Sequence, residues 1–211
     1  MNQGTRGRFI SLEGGEGVGK STQARALAAA LRADGRDVVE TREPGGSAGA
    51  EAVRALLLEG SADRWGPRAE ALLFAAARAD HVDKTIRPAL DAGAWVICDR
   101  FLDSSIAYQG GADGLGSDSI RALHAIGSEG LLPDRTLLLT LPEEVAMARE
   151  AARDAGRPDR FGKRDAAYHR RVTASFRNLA DAEPERWRVI EARGSADTVT
   201  QALLAALEDL L

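Results

Sequence analysis

The chain has 211 residues, 44% hydrophobic and 28% charged, with a formal net charge of −4; it is long enough for one compact domain and gives no electrostatic reason to expect a nucleic acid or an anionic membrane as partner. A lone Cys98 rules out an intramolecular disulfide, and the opening MNQGTRGRF lacks the apolar centre of a signal peptide. No apolar run approaches the roughly 20 residues of a membrane span, so a single cytoplasmic domain is expected.

Short apolar runs alternate with longer helical patterns from end to end, which predicts an α/β protein with a mainly parallel sheet. The first strand is RFISLE (8–13), followed by a glycine-rich stretch and a helix over 20–34 in which Ala24, Leu27, Ala28 and Leu31 share one face and Gly35 stops the run. A strand DVVETR (37–42) leads through the irregular EPGGSAG (43–49) into a helix over 48–59. A long helix is predicted over 66–92, with Pro88 interrupting its last turn and Gly93 ending it. The strand AWVICD (94–99) precedes a short helix (102–109), the loop QGGADGLGS (109–117) and a helix over 117–127. RTLLLTL (135–141) is the fourth strand, then a helix over 142–155, the irregular DAGRPDRFGKRD (154–165), a helix over 164–181, the strand WRVIEA (187–192) and a closing helix over 196–210. The irregular stretches fall where the functional loops of an open α/β sheet sit.

Chemistry concentrates first in SLEGGEGVGKST (11–22), where Gly14-x4-Gly19-Lys20-Ser21 matches the phosphate-cradling P-loop in its required strand-then-helix setting. Missing β-carbons let successive backbone N–H groups face phosphate oxygens, and the following helix adds unpaired donors and a partial positive charge. Lys20 is placed for the β- and γ-phosphates and the Ser21 hydroxyl for Mg²⁺. A P-loop site also needs an aspartate at the end of a buried strand; AWVICD ends in Asp99, whose other available role is to cap the helix that follows.

The stretches LEGGEGVGKST (12–22), REPGGS (42–47), LLFAAARADH (72–81), DRFLDSSIAYQG (99–110), RDAGRPDRF (153–161) and IEARGS (190–195) run in order along nearly the whole chain. On these motifs the chain resembles the thymidylate kinases. The resemblance implies one P-loop NTPase domain over 1–211 of the nucleoside monophosphate kinase type, with about five parallel strands flanked by helices and a lid near 150–163. The implied reaction moves the γ-phosphoryl group of ATP, with Mg²⁺, onto the 5′-phosphate of thymidylate (dTMP), giving dTDP and ADP. The ATP site then comprises Gly14, Gly15, Glu16, Gly17, Val18, Gly19, Lys20, Ser21 and Thr22, with Arg149 and Arg193, and the metal falls to Ser21 and Asp99. The dTMP site comprises Glu16, Glu43, Pro44, Phe74, Arg78, Arg100, Ser104, Ser105, Tyr108 and Gln109.

Within that set the resemblance gives Arg100 the acceptor phosphate, which a guanidinium fork can bind through two oxygens; its plainer role is a surface ion pair. Phe74 and Arg78, four apart on one helix face, are implied to stack on the base and to donate to its carbonyl; alone, Phe74 also suits a core. Ser105 and Gln109 suit either base contacts or a solvated helix. Glu16 would point away from ATP, toward the sugar of dTMP. Some relatives carry an arginine where this chain has Gly17, so the positive charge at the transferred group is assigned to the lid, with Lys20, Asp99, Arg100, Arg153 and Arg160 as the catalytic set and Arg149 and Arg157 nearby; a solvated helix end is the plainer alternative. A homodimer packed through helices is also implied.

Two other readings stay open. One is a kinase of another nucleotide or nucleoside. The other is a GTPase-like switch, for which the sequence offers no guanine-reading Asn-Lys-x-Asp after a late strand. His81, His124 and His169 show no ligand spacing, so a protein-held zinc is not expected.

Overall fold

The computed structural model describes residues 6–61, 63–154 and 159–211, with the side chains of Arg153 and Asp154 outside what is described. Among the described residues five parallel strands form one sheet in the order β2-β3-β1-β4-β5: β1 (Phe9–Glu13), β2 (Val38–Arg42), β3 (Trp95–Asp99), β4 (Arg135–Thr140) and β5 (Trp187–Glu191). Helices cover both faces, as a parallel sheet requires.

Neighbouring residues of each central strand serve opposite faces. Phe9, Val96 and Leu138 join a core with Val82, Ile86, Phe101, Ile106, Val172 and Phe176. Ile10, Ile97 and Leu137 join the other, with Leu27 and Leu31 of α1 (Lys20–Ala33) and Val199 and Leu203 of α9 (Ala196–Ala205). The polar faces of both helices remain toward water.

The other helices are α2 (Ala48–Leu58), α3 (Pro67–His81), α4 (Arg87–Asp91), α5 (Leu102–Ser105), α6 (Ser117–Ser128), α7 (Glu143–Asp154) and α8 (Ala166–Ala182). The predicted long helix is therefore split. A π-helical turn, Val82–Ile86, joins α3 to α4. Pro88 explains the split, because it offers no N–H and its ring crowds the carbonyl four residues back, so the ladder shifts its spacing just upstream. Similarly, α5 passes into a π-helical stretch, Ile106–Ala112, that takes in glycines predicted to be loop. Packing overrides their poor propensity: α8 lies so close that a β-carbon at Gly111 would stand 2.1 Å from Ser175 Oγ. The closing helix ends early, at Ala205, followed by a 3₁₀ turn, Glu208–Leu210.

β1 and β3 are adjacent, while the strands that follow each of them in the chain lie on opposite sides of the pair. The crevice beyond their carboxyl ends is thus the switch point at which such sheets bind ligands.

Candidate active site

β1 ends at Glu13, and the glycine-rich segment then wraps into α1. Gly14 and Gly17 adopt φ of +140° and +71°, conformations that side chains strain to reach. Space forbids side chains as well: a β-carbon would stand 2.5 Å from the Leu139 carbonyl oxygen at Gly14 and 2.0 Å from that of Ala146 at Gly17. The second contact means that the start of α7 is docked on the P-loop. Lys20 curls back, its Nζ donating to the Gly15 carbonyl at 2.6 Å. Burial, reinforced by the nearby charge of Arg100, pulls its pKa down to about 8.

Across the crevice, β3 delivers Asp99. Its Oδ2 accepts a short hydrogen bond from Ser21 Oγ, while its Oδ1 is buried with no partner among the described residues. An orphaned buried carboxylate oxygen beside a hydroxyl is a hard-oxygen donor pair. It fits Mg²⁺, which keeps several waters and shares its remaining positions with substrate phosphates rather than demanding a full protein cage. Among the described residues there is no group of three or more His, Cys, Asp or Glu gathered as a metal site.

Arg100 follows in the left-handed region, with φ of 70°. Its guanidinium donates to the Gly14 carbonyl at 3.1 Å, Ser104 Oγ at 3.0 Å, Glu16 Oε1 at 2.6 Å and the Tyr108 hydroxyl oxygen at 3.2 Å. Burial works against its charge, but Tyr108, Glu16, Asp99 and Glu13 outweigh that and hold its pKa above the ordinary arginine value. Tyr108 also donates to Glu16 Oε1 at 3.1 Å. The Glu16 carboxylate therefore turns to Arg100 and Tyr108, on the acceptor side.

A residue that sequence reasoning missed holds this turn. Both oxygens of the fully buried Glu13 are engaged, one accepting from the Phe101 N–H at 2.8 Å and the other from Ser104 Oγ at 2.6 Å. Burial, with Asp103 close by, pushes its pKa up to about 7. A glutamate at the end of an apolar strand is the signal that could have marked it, since a buried carboxylate needs partners.

The far wall comes from α3. Arg78 donates from Nε to Glu43 Oε2 at 2.7 Å and from Nη2 to Ser105 Oγ at 2.8 Å and the Phe101 carbonyl at 3.3 Å. Glu43 is itself held by His81 Nδ1 at 3.0 Å, and the Glu43–Pro44 peptide is cis. Phe74 sits one turn earlier and meets Phe161 at a ring separation of 5.8 Å. Ser105 and Gln109 are buried, 3% and 1% exposed, which removes the solvated-helix alternative.

These walls enclose a cleft of about 830 Å³. Most of the predicted set lines it: Glu16 to Thr22, Glu43, Pro44, Phe74, Arg78, Asp99, Arg100, Ser104, Ser105, Tyr108, Gln109 and Arg149. Gly14 and Gly15 are not among the lining residues; their carbonyls instead accept from Arg100 and Lys20. Arg193 differs from expectation, since it is largely exposed and pairs with Glu191 at 2.7 Å, leaving Gly194 and Ser195 to face the cleft. Arg160 differs more: predicted as a catalytic cation, it is buried in an ion pair with Glu70, with its Nε donating to the Leu57 carbonyl at 2.9 Å. With its side chain 1% exposed, its charge is met by that carboxylate rather than by the cleft. The side chain of Arg153, and Arg157 entirely, lie outside the described residues. Arg54, which was not predicted, lines the cleft and donates to the Pro44 carbonyl at 2.5 Å; on an amphipathic helix it reads as an ordinary solvated cation.

The sheet order, the P-loop and the facing cationic pocket together define a P-loop kinase of the nucleoside monophosphate type. A family model described as thymidylate kinase matches residues 12–203. The chain belongs to the thymidylate kinase family. It is 71% identical over 205 residues to a thymidylate kinase of Rhizorhabdus wittichii, covering 97% of this chain and 99% of that one. It is 51% identical over 201 residues to one of Caulobacter vibrioides, covering 94% and 95%. A crystal structure of thymidylate kinase from Ehrlichia chaffeensis superposes with a TM-score of 0.77 at 30% identity, covering 96% of this chain and all of that one.

Proposed function

We infer that the protein transfers the γ-phosphoryl group of ATP to the 5′-phosphate of dTMP, giving ADP and dTDP, as a cytoplasmic homodimer. The observation that carries the reading is a single cleft in which the P-loop, with Lys20 and Ser21, faces a second pocket of Phe74, Arg78, Arg100, Ser105, Tyr108 and Gln109. A hydrolase needs only the first half, whereas two polyanions brought into line need both.

In this reading Lys20 exchanges the Gly15 carbonyl for β- and γ-phosphate oxygens, whose charge restores the ammonium that burial disfavours. Arg100 exchanges Glu16 for the acceptor phosphate, which releases Glu16 to meet the sugar hydroxyl. Phe74 stacks on the base, and Arg78 donates to its carbonyl from Nη1, which holds no protein acceptor among the described residues. Tyr108 packs beside the sugar. Ser21 and Asp99 hold Mg²⁺, which when bound neutralises charge on the phosphates. The acceptor phosphate is already ionised, so no nucleophilic side chain is required; alignment and charge neutralisation suffice. Arg149, brought to the cleft by the docking of α7 on Gly17, supplies positive charge beside the transferred group, and Arg153 stands four residues further along the same helix.

Support for a homodimer comes from exposed apolar side chains on neighbouring helices: Leu72 on α3 is 56% exposed and Ile126 on α6 is 83% exposed. No helix among the described residues is long and apolar enough to cross a membrane.

The decisive assay couples ADP release to acceptor addition. Purified protein with Mg²⁺ and ATP is expected to release ADP only when a nucleoside monophosphate is added, with dTMP fastest in a panel with dUMP, dCMP, dAMP and dGMP. ADP release that ignores the acceptor, or a faster acceptor than dTMP, would overturn the reading.

A further inference from the structure

Glu70 is absent from the set just described, yet it sits behind the base pocket with a side chain only 1% exposed. One oxygen, Oε2, is ion-paired with Arg160, which returns from the lid, and the guanidinium of Arg164 is 3.9 Å away. The other oxygen, Oε1, accepts from the Gln109 side-chain amide nitrogen at 2.8 Å. Glu70 is the only hydrogen-bond partner of that side chain among the described residues, and Gln109 lines the cleft.

The chemistry of the pair fixes a direction. A side-chain amide is a donor at one end and an acceptor at the other, and the two ends have nearly the same shape. A carboxylate only accepts, so beside Glu70 the NH₂ end must turn inward and the carbonyl oxygen is left for the occupant of the cleft. Arg160, permanently charged, holds Glu70 in that role. We propose that Glu70 is a specificity-determining positioning residue: by orienting the Gln109 amide, it makes the base pocket present an acceptor, which matches the ring N3–H of thymine and opposes the bare N3 of cytosine. The inference rests on the dTMP reading above.

Phe161, the next residue after Arg160, packs on Phe74 and on Tyr108, with ring separations of 5.8 and 5.9 Å. The segment that brings Arg160 to Glu70 therefore also packs on the cleft-lining Phe74 and Tyr108.

Glu70→Gln removes the directional constraint, because a carboxamide can donate as well as accept and the Gln109 amide can then turn over. The preference for dTMP over dCMP, read as the ratio of kcat/KM values, is expected to fall at least tenfold, through KM for the nucleotide, with KM for ATP within twofold. In a Gln109→Ala background the same change is expected to move the ratio less than twofold, since Glu70 acts through that amide; a purely structural role would give similar losses in both backgrounds. An unchanged ratio in folded Glu70→Gln, or equal losses in the two backgrounds, overturns the proposal. Should Glu70→Gln not fold, Gln109→Met, which keeps the Glu70–Arg160 pair, must lose the preference; retention there overturns it equally. Wild-type protein inactive on dTMP would instead sink the underlying reading.

Discussion

Glu13 shows what a single residue contributes and what it costs. Its carboxyl group anchors the Phe101 amide and Ser104, and Ser104 in turn receives Arg100, so the left-handed turn that aims Arg100 is built on a carboxyl group buried at the end of β1. The folded pKa, raised from 4.5 to about 7, means that the native state binds more protons than the unfolded chain between those values. Stability from this group is therefore present below the unfolded value and is lost as pH rises through about 7. Glu13→Gln does not titrate. Its unfolding free energy relative to wild type is expected to increase by about 3 kcal/mol between about pH 4.5 and pH 8, in urea melts at each pH. Because the amide cannot accept from Ser104 at its nitrogen, KM for dTMP should rise about threefold to tenfold. A pH-independent stability difference would contradict the assignment. At this scale Lys20, Asp99 and Arg100 were legible, since each occupies a fixed place in a local pattern. Glu70 and Arg160 were not, because their partners are 90 residues apart in the chain.

Among the elements, α7 and its docking decide most about the reaction. Gly17 admits the Ala146 carbonyl to a spot that any β-carbon would fill, and that approach carries Arg149 to the cleft. The absence of a side chain at position 17 and the arrival of Arg149 at the cleft are thus two aspects of one contact. Gly17→Ala should displace α7 and lower kcat at least about tenfold with little change in KM for dTMP; Arg149→Ala should lower kcat by about a hundredfold, the usual loss when one preorganised charge at a transition state is removed. Steady-state kinetics with ATP and dTMP varied separately checks both, and a Gly17→Ala enzyme with wild-type kcat would sever the link. Element boundaries were legible where hydrophobic spacing and a terminal glycine agree, as in α1. They were not around Pro88 or Gly111, where a missing donor and the close approach of α8 reset the helix ladder.

Considered whole, the molecule lines its cleft with elements drawn from both halves of the chain, so an acceptor held there should stabilise the entire fold. At a concentration near 100 times Kd, linkage gives about 2.7 kcal/mol, which for a domain of this size corresponds to a Tm increase of roughly 5–10 °C. Thermal denaturation with dTMP against dCMP reads this directly, and equal shifts would argue against a thymine-selective pocket. The exposed Ile126 and Leu72 make a second whole-molecule expectation: Ile126→Glu should shift sedimentation toward a monomer at low micromolar concentration, whereas a monomeric wild type would remove the homodimer from the reading.

The amino-acid sequence by itself determined the strand-and-helix alternation, the P-loop and the order of the acceptor motifs, because each rests on contacts within a few residues or on a period that follows from backbone geometry. Tertiary structure alone decided which cation lines the cleft and which is paired with a buried carboxylate, how the Gln109 amide is turned, and that Glu13 lies beneath Arg100. Those outcomes depend on charges and donors meeting across 39 to 90 residues of chain, and the energy of such a meeting is set by burial and distance, neither of which a linear pattern encodes.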